Sequence, residues 1–156
     1  MTVVTRWFIV CTLARAAAGC ATTPANTGKI DPSIATFIDP KDIKWVPNAA
    51  GTNEQAILYG DPSKPGLYVV RNKWKAGNMS RPHFHPNDRL IVVLEGTWWV
   101  GTGDVYDPNS TVPMGPGTQV LHYGKKIHYD GAKDGDTIIQ IHGIGPATNT
   151  PAERKP

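Results

Sequence analysis

Short apolar runs separated by turn residues dominate the chain from about residue 41 onwards. The runs are rich in β-branched and aromatic residues, which is typical of β-strands. No segment after residue 20 sustains the 3.6-residue apolar period of an amphipathic helix. The predicted strands are Ile43–Val46, Gln55–Tyr59, Gly66–Trp74, Leu90–Glu95, Trp98–Gly101, Thr118–Tyr123, Ile127–Tyr129 and Thr137–His142.

Glycine and proline mark the ends of these runs. The chain has 16 glycines and 14 prolines, and pairs such as Asp61-Pro62, Lys64-Pro65 and Gly115-Pro116 stand where strands must reverse. Many short strands separated by turns that contain glycine and proline predict an all-β sandwich or barrel. A chain of 156 residues supports one domain with an ordinary core.

The first 20 residues form a separate segment. Arg6 precedes the apolar run 7–13, and the small residues 16–20 follow, which is the layout of a secretory signal peptide. We therefore expect an extracytoplasmic protein, whether periplasmic, secreted or an outer-membrane lipoprotein. Residues 21–40 are small, polar and proline-containing and predict a flexible linker. The domain is expected over 41–145, with a tail at 146–156 that is loose or lies along the surface.

Cys20 raises the question of a lipid anchor. The segment Ala17-Ala18-Gly19-Cys20 resembles a bacterial lipobox, whose cysteine is lipidated after cleavage in front of it. Lipidation of Cys20 would be the only membrane attachment, and the alternative is ordinary signal-peptidase cleavage near Ala18. Cys11 lies in the segment to be removed, so the mature chain holds at most Cys20 and forms no internal disulfide.

The charge balance argues against one class of partner. The chain has 16 basic and 13 acidic residues, a formal net charge of +3. Loss of Arg6 and Arg15 with the signal segment takes the 16 basic residues to 14 against 13 acidic ones, a net charge of +1. A net charge this close to zero gives no sign of the basic surface that binds nucleic acid. The expected partner is a small-molecule or carbohydrate substrate.

Two histidines separated by one residue carry the clearest chemical signal. On a β-strand His83 and His85 project from the same face, so both imidazoles can reach one point. On a helix the two side chains would diverge by about 200°. The pair therefore suits a metal ion if it lies on a strand, whereas two solvated polar residues on an outer face are the alternative for any isolated pair of this kind.

The residues around this pair resemble the first sequence motif of the cupin family. The matching positions are Gly77, His83, His85, Arg89 and Gly96. The second cupin motif is matched by its glycine, Gly117, and its histidine, His128, whereas Tyr123 and Lys125 stand where that motif usually has proline and glycine.

The resemblance to cupins implies both a fold and a metal site. It implies an all-β chain with a single cupin barrel, also called a double-stranded β-helix or jelly-roll, and it implies a homodimer. It also implies one divalent transition metal per chain, held by His83, His85 and His128. Three histidines would leave coordination positions open for water or substrate.

Arg89 stands where cupins often carry a glutamate ligand. A guanidinium has no lone pair to donate, so the predicted ligand shell is all nitrogen. Such a shell suits copper, iron(II) or zinc better than manganese or magnesium, and the general affinity order favours copper. Arg89 is expected either to point into the cavity and pair with an anionic substrate or to form a surface salt bridge with Asp88 or Glu95, and we favour the surface bridge.

The last predicted strand contributes a further candidate. Gln140 and His142 share a face opposite Ile139 and Ile141, so one pair looks into the core and the other outward. If they face inward, Gln140 and His142 would support the metal ligands or add one. The alternative is that both are ordinary hydrogen-bonded polar residues.

Two tyrosines flank the second-motif histidine. Tyr123 and Tyr129 lie on either side of His128 and are candidate proton donors. Tyr129 together with Arg89 and Gln140 forms the predicted catalytic set.

The predicted function is an exported metal-dependent oxidoreductase. With copper as the favoured metal and iron as the second choice, it would use O₂ or peroxide on an extracytoplasmic organic substrate, with oxidative cleavage of a polysaccharide as one form of the reaction. The resemblance to cupins implies oxygenase-like chemistry as one common outcome. Because a fold does not fix a function, the alternative is a non-catalytic periplasmic protein that binds a small molecule or a metal.

Overall fold

The computed structural model describes residues 28–155. The predicted signal segment, Cys20 and the first part of the predicted linker lie outside the described residues. Residues 28–36 belong to a first unit and form no strand or helix, only an exposed turn in which Ser33 donates two hydrogen bonds to Asp31. No helix in the described part of the chain is long and apolar enough to cross a membrane.

The second unit, from Phe37 onwards, is built almost entirely of strands. Two short 3₁₀ helices lie at Pro40–Asp42 and Pro108–Ser110. The strands are β1 (Val46–Pro47), β2 (Asn53–Tyr59), β3 (Gly66–Trp74), β4 (His83–Phe84), β5 (Arg89–Glu95), β6 (Trp98–Thr102), β7 (Val112–Met114), β8 (Gln119–His122), β9 (His128–Gly131), β10 (Thr137–Gly145) and β11 (Thr150–Pro151). The predicted all-β class is confirmed.

The strands form two antiparallel sheets. One has the order β1-β2-β3-β10-β5-β8 and the other β11-β4-β9-β6-β7. Side chains alternate between the two faces of each strand, so each sheet turns one apolar row inward. The buried core is formed by residues of both sheets, among them Val70, Ile91, Trp98 and Ile139.

Most predicted strands lie where the sequence pattern placed them. The strand Gly66–Trp74 is confirmed with its boundaries, and the predicted strand that begins at Thr137 runs on to Gly145. The pattern missed the short strands Val112–Met114 and Thr150–Pro151, because two or three residues between prolines and glycines carry no periodic signal.

The predicted strand at Ile43–Val46 is wrong over most of its length. Ile43 follows the 3₁₀ helix Pro40–Asp42, and β1 begins only at Val46. Asp39 caps this helix by accepting a hydrogen bond from the Lys41 backbone N–H, and proline is favoured at the first helical position. The local capping signal therefore prevails over the apolar run that follows it.

The segment after residue 145 is not a loose tail. Its strand β11 pairs with β4, with Pro151 opposite His83. Arg81 forms a salt bridge with Glu153 that anchors the segment further along. Of the two expected arrangements, the segment therefore lies along the surface, since prolines do not prevent a segment from pairing at the edge of a sheet, where one side of the strand has no partner.

Candidate metal centre

Three histidines meet on the inner side of the five-stranded sheet. His83 of β4 lies directly opposite His128 of β9, and His85 follows two residues after His83. All three are buried. The ring centroids are 4.6 Å apart for His83 and His128, 4.9 Å for His83 and His85, and 5.5 Å for His85 and His128. One ring nitrogen of each lies within 4.8 Å of the others, so the predicted set could hold a metal ion.

Each of the three imidazoles donates a hydrogen bond from Nδ1 to a backbone carbonyl. The pairs are His83 with Arg81 at 2.8 Å, His85 with Thr148 at 2.9 Å and His128 with Lys126 at 3.0 Å. A neutral imidazole has only one N–H, so Nε2 of each ring carries a lone pair. This arrangement is typical of histidines that bind a metal through the other nitrogen.

The Nε2 atoms of His83 and His85 lie close together with no hydrogen between them. His83 Nε2 and His85 Nε2 are 3.1 Å apart. Because both Nδ1 positions carry the proton, neither Nε2 has a hydrogen to share, and the two lone pairs face each other. A cation between them would remove the repulsion, so the donor set fits a metal ion.

Burial keeps His85 and His128 uncharged. Burial, together with the charge of Arg89, lowers the pKa of His85 to about 3. Burial also lowers the pKa of His128 to about 4, although the Asp130 carboxylate opposes the shift. Metal ligation requires neutral imidazoles, so these two rings are in the ligating form at neutral pH.

Arg89 points into the barrel and does not form the favoured surface salt bridge. It is the first residue of β5 and shares the inward face with Ile91, and it is 9% exposed. Neither Asp88 nor Glu95 pairs with it. The surface prediction was wrong because the strand begins at residue 89 itself, which fixes the inward direction of its side chain.

The Arg89 guanidinium contacts two histidines. Its Nη2 donates to His122 Nδ1 at 3.3 Å and to His128 Nε2 at 3.2 Å. Burial lowers the pKa of Arg89, and the carboxylate of Asp130 opposes this effect. A guanidinium remains charged in proteins, so a positive charge lies beside the histidine cluster.

Sequence reasoning missed His122 and Asp130. His122 of β8 lies opposite Arg89 in the sheet, and its ring centroid is 4.1 Å from that of His128. The Asp130 carboxylate is buried, with Oδ2 4.0 Å from His128 Nε2. His122, His128 and Asp130 form a second set that could hold a metal. The spacing of His128 and Asp130 along β9, which places both on one face, was the signal for Asp130.

Gln140 lies away from the histidines, contrary to its predicted catalytic place. Ile139 and Ile141 of β10 face the interior, so Gln140 faces outward. There it accepts a hydrogen bond from Arg71 Nε at 2.9 Å and donates one to His142 Nε2 at 2.8 Å. The outward alternative for Gln140 and His142 therefore holds.

Tyr129 is also separated from the centre. It precedes Asp130 and follows His128 in β9, so its side chain projects to the opposite face of the sheet. Its hydroxyl donates to the carbonyl of Asp107 at 2.9 Å and lies 3.0 Å from Ser110 Oγ. The predicted proton donor is thus a buried structural tyrosine.

A cavity of about 450 Å³ opens beside the centre. Its volume lies in the range of small-molecule sites. The walls are mainly apolar and are formed by Tyr68, Val70, Trp74, Ile91, Ile139 and Ile141. The polar lining includes His83, His85, Arg89 and Asp130 of the centre, together with side chains such as those of Asn53, Gln55 and Asn72.

No protein-family model matches the sequence, and no curated protein matches it significantly. Solved structures match the fold at low sequence identity. KdgF from Halomonas sp. is 18% identical, with a TM-score of 0.56 over 70% of this chain and 94% of that one. The polyketide cyclase RemF from Streptomyces resistomycificus is 16% identical, with a TM-score of 0.63 over 78% and 87%. A cupin-2 domain protein from Rhodospirillum rubrum is 13% identical, with a TM-score of 0.56 over 78% and 80%. At these identities the likeness establishes the fold alone.

Proposed function

We propose that this chain, which has the cupin fold, is an enzyme with one divalent transition metal bound by His83, His85 and His128. The observation that carries the proposal is that all three Nδ1–H groups donate to backbone carbonyls. The Nε2 lone pairs of His83 and His85 thereby face each other at 3.1 Å in a buried place, and the Nε2 lone pair of His128 accepts from Arg89 beside them. A metal ion converts this unfavourable arrangement into a ligand shell.

The cavity supports a small organic substrate. Its volume of about 450 Å³ suits a molecule of modest size better than the polysaccharide that the sequence suggested. When bound, the metal would polarise a substrate oxygen or exchange electrons with it. Trp74, Ile139 and Ile141 would hold the apolar part of the substrate and keep water out, and Arg89 and Asp130 would act on its polar part.

The ligand set also supports a choice of metal. Three imidazole nitrogens favour copper, with iron(II) or zinc as alternatives. With copper or iron the reaction would be an oxidation that uses O₂ or peroxide. The extracytoplasmic location belongs to the same proposal and depends on residues 1–20.

Metal content tests the first part of the proposal. The protein is stripped with a chelator, dialysed against copper, iron(II) or zinc, and subjected to elemental analysis. We expect about one metal per chain in the wild type and loss of most of it in His83→Ala. His142→Ala is the matched control, because His142 lies on the outer face of β10. Equal metal in the wild type and His83→Ala would contradict the proposal.

Turnover tests the second part. Each metal form is incubated with a panel of small phenols, organic acids and sugars, with and without O₂ or peroxide and a reductant. Oxidised product from the copper or iron form, absent in His83→Ala, would support the oxidoreductase, and turnover by the zinc form would overturn the redox part. Tight binding of a panel member without turnover by any form would identify a non-catalytic binding protein instead.

A further inference from the structure

Arg89 is a buried cation with unused hydrogen-bonding capacity. Its side chain lines the cavity, and no carboxylate of residues 28–155 lies within ion-pair distance of it. Its Nε is buried without a hydrogen-bond partner. A guanidinium has five N–H donors in a planar fork that matches a carboxylate. Only Nη2 is engaged, by two histidines.

Metal binding would release one of those two hydrogen bonds. His128 Nε2 has a single lone pair, which now accepts from Arg89 Nη2 at 3.2 Å. The same lone pair cannot serve a metal and the guanidinium together. With a metal at His83, His85 and His128, Arg89 remains tethered to His122 and presents its freed donor to the cavity.

Tyr68 lies beside Arg89 because of a glycine. Gly143 of β10 stands between Tyr68 of β3 and Arg89 of β5 in one row across the sheet. A Cβ at Gly143 would lie 2.5 Å from the Tyr68 hydroxyl, so the absence of a side chain lets the phenol extend over β10 toward Arg89. The hydroxyl has no hydrogen-bond partner in the described part of the chain, and Tyr68 is 2% exposed.

The phenol is in its donor form. Burial raises the pKa of Tyr68, although the neighbouring Arg89 charge opposes the shift. At neutral pH the hydroxyl therefore keeps its proton and can donate it in a hydrogen bond. Arg89 and Tyr68 thus both offer unused N–H and O–H donors to the cavity, close enough for the Arg89 charge to act on the phenol.

The charge at the metal centre calls for an anion. Asp130 is the only acidic side chain among the described residues that line the cavity. A divalent metal and the Arg89 guanidinium carry three positive charges, and Asp130 offsets one, since the ligating imidazoles are neutral. A negatively charged group that contacts Arg89 and the metal together would reduce this imbalance.

We propose that Arg89 and Tyr68 form a carboxylate site, and that the substrates are small organic carboxylates whose apolar part lies against the cavity walls. Arg89 would hold the carboxylate through two parallel N–H donors, and Tyr68 would donate to one of its oxygens. The proposal gives the substrate class of the proposed metal enzyme and rests on that function for the role of the metal.

Binding of benzoate and benzamide to the zinc-loaded protein tests the site. The two probes share a ring and differ in charge, and zinc gives binding without redox chemistry. Isothermal titration calorimetry should show benzoate binding at least about 10-fold tighter than benzamide, because hydrogen bonds to charged groups exceed neutral ones by about this factor. Acetate serves as a second, smaller carboxylate. Failure of both carboxylates to bind the wild type would overturn the proposal.

Variants assign the effect to the two residues. Arg89→Gln should weaken benzoate binding about 10- to 100-fold, and Tyr68→Phe about 2- to 10-fold, which are the ranges for a charged and a neutral hydrogen bond. Benzamide binding should change little in both. The matched controls are Arg71→Gln, whose guanidinium contacts Gln140 on the outer face, and Tyr123→Phe, whose ring is exposed.

The measurements distinguish this proposal from the metal proposal. Zinc content is determined for every variant, and thermal unfolding checks that each variant is folded. If Arg89→Gln does not fold, Tyr68→Phe and Gly143→Ala test the site instead. In Gly143→Ala the added methyl group would displace the Tyr68 hydroxyl. Unchanged benzoate affinity in the folded variants at full zinc content would overturn the carboxylate site alone. Benzoate binding that depends on Arg89 and Tyr68 in a protein that binds no zinc would support the carboxylate site and overturn the metal proposal.

Discussion

Asp130 places a buried negative charge beside the histidine centre. Its Oδ2 lies 4.0 Å from His128 Nε2, and its negative charge favours a cation at that position. Asp130→Asn keeps the shape and removes the charge, so we expect zinc affinity to fall about 10-fold, as for other groups just outside a ligand shell. A chelator competition titration measures the change. Asp134→Asn, in an exposed turn, is the control, and equal affinity in both variants would contradict the expectation.

The buried histidines predict an acid-sensitive metal-free protein. Burial lowers the pKa of His85 to about 3 and that of His122 to about 2, whereas both would titrate near 6.5 in the unfolded chain. Between these values the unfolded state binds protons that the folded state does not, so stability is complete above pH 6.5 and falls as the pH is lowered. We expect a lower melting temperature at pH 5 than at pH 7 in the presence of a chelator.

His122→Gln provides the control for this pH dependence. The amide removes a titrating group and keeps an acceptor for the Arg89 hydrogen bond. The difference in melting temperature between pH 7 and pH 5 should therefore shrink in the variant. A wild-type melting temperature that stays constant or rises on acidification would show that these histidines do not stay neutral in the fold.

At the residue scale the sequence predicted the three imidazoles but not their surroundings. The spacing of His83 and His85 is a local signal, because alternation on a strand fixes their common face. Arg89 gave no such signal, and its inward direction follows from where β5 begins. The carbonyl of Thr148, which orients His85, comes from a segment that only the folded chain brings to the site.

At the element scale Gly101 determines how β6 packs against β9. A Cβ on Gly101 would overlap the ring of Tyr129, which crosses the strand at that point. We expect Gly101→Ala to lower the free energy of unfolding by about 1–3 kcal/mol, the usual cost of an overpacked core. Gly135→Ala is the control, since its Cβ would meet nothing within 4 Å. Chemical denaturation measures both, and similar stability would contradict this packing.

The Tyr129 hydroxyl connects the 3₁₀ helix Pro108–Ser110 and its preceding residue Asp107 to β9 through hydrogen bonds. Tyr129→Phe removes its hydrogen bonds to Asp107 and Ser110 and should lower the free energy of unfolding by about 1 kcal/mol. Because Tyr129 faces away from the histidines, the metal content should be unchanged. If Tyr129→Phe kept the stability of the wild type but lost metal or turnover, Tyr129 would have a catalytic role after all.

Long strands were predictable from the sequence and short ones were not. The strand Gly66–Trp74 buries an alternating row against the core, which gives a clear apolar pattern. The pairing of Thr150–Pro151 with β4 depends on the sheet edge that other parts of the chain create. Such pairing is a tertiary effect, so local composition alone could not decide between a loose tail and one that lies along the surface.

At the scale of the whole molecule, the spacing of the two motifs predicted the fold, and the cavity volume limits the size of the substrate. The cupin resemblance rested on a few residues between Gly77 and His128, and the fold around them is confirmed. The homodimer stays a prediction. The outer face of the six-stranded sheet exposes Leu67, Leu90 and Ile144, and an apolar surface of this kind is typical of protein contacts.

The most direct test of the metal centre is a crystal structure of the zinc-loaded protein, with anomalous data at the zinc edge. We predict one anomalous peak per chain, about 2.0–2.1 Å from Nε2 of each of His83, His85 and His128, with Arg89 detached from His128. A peak held instead by His122, His128 and Asp130, or no ordered zinc in the barrel, would contradict the central claim.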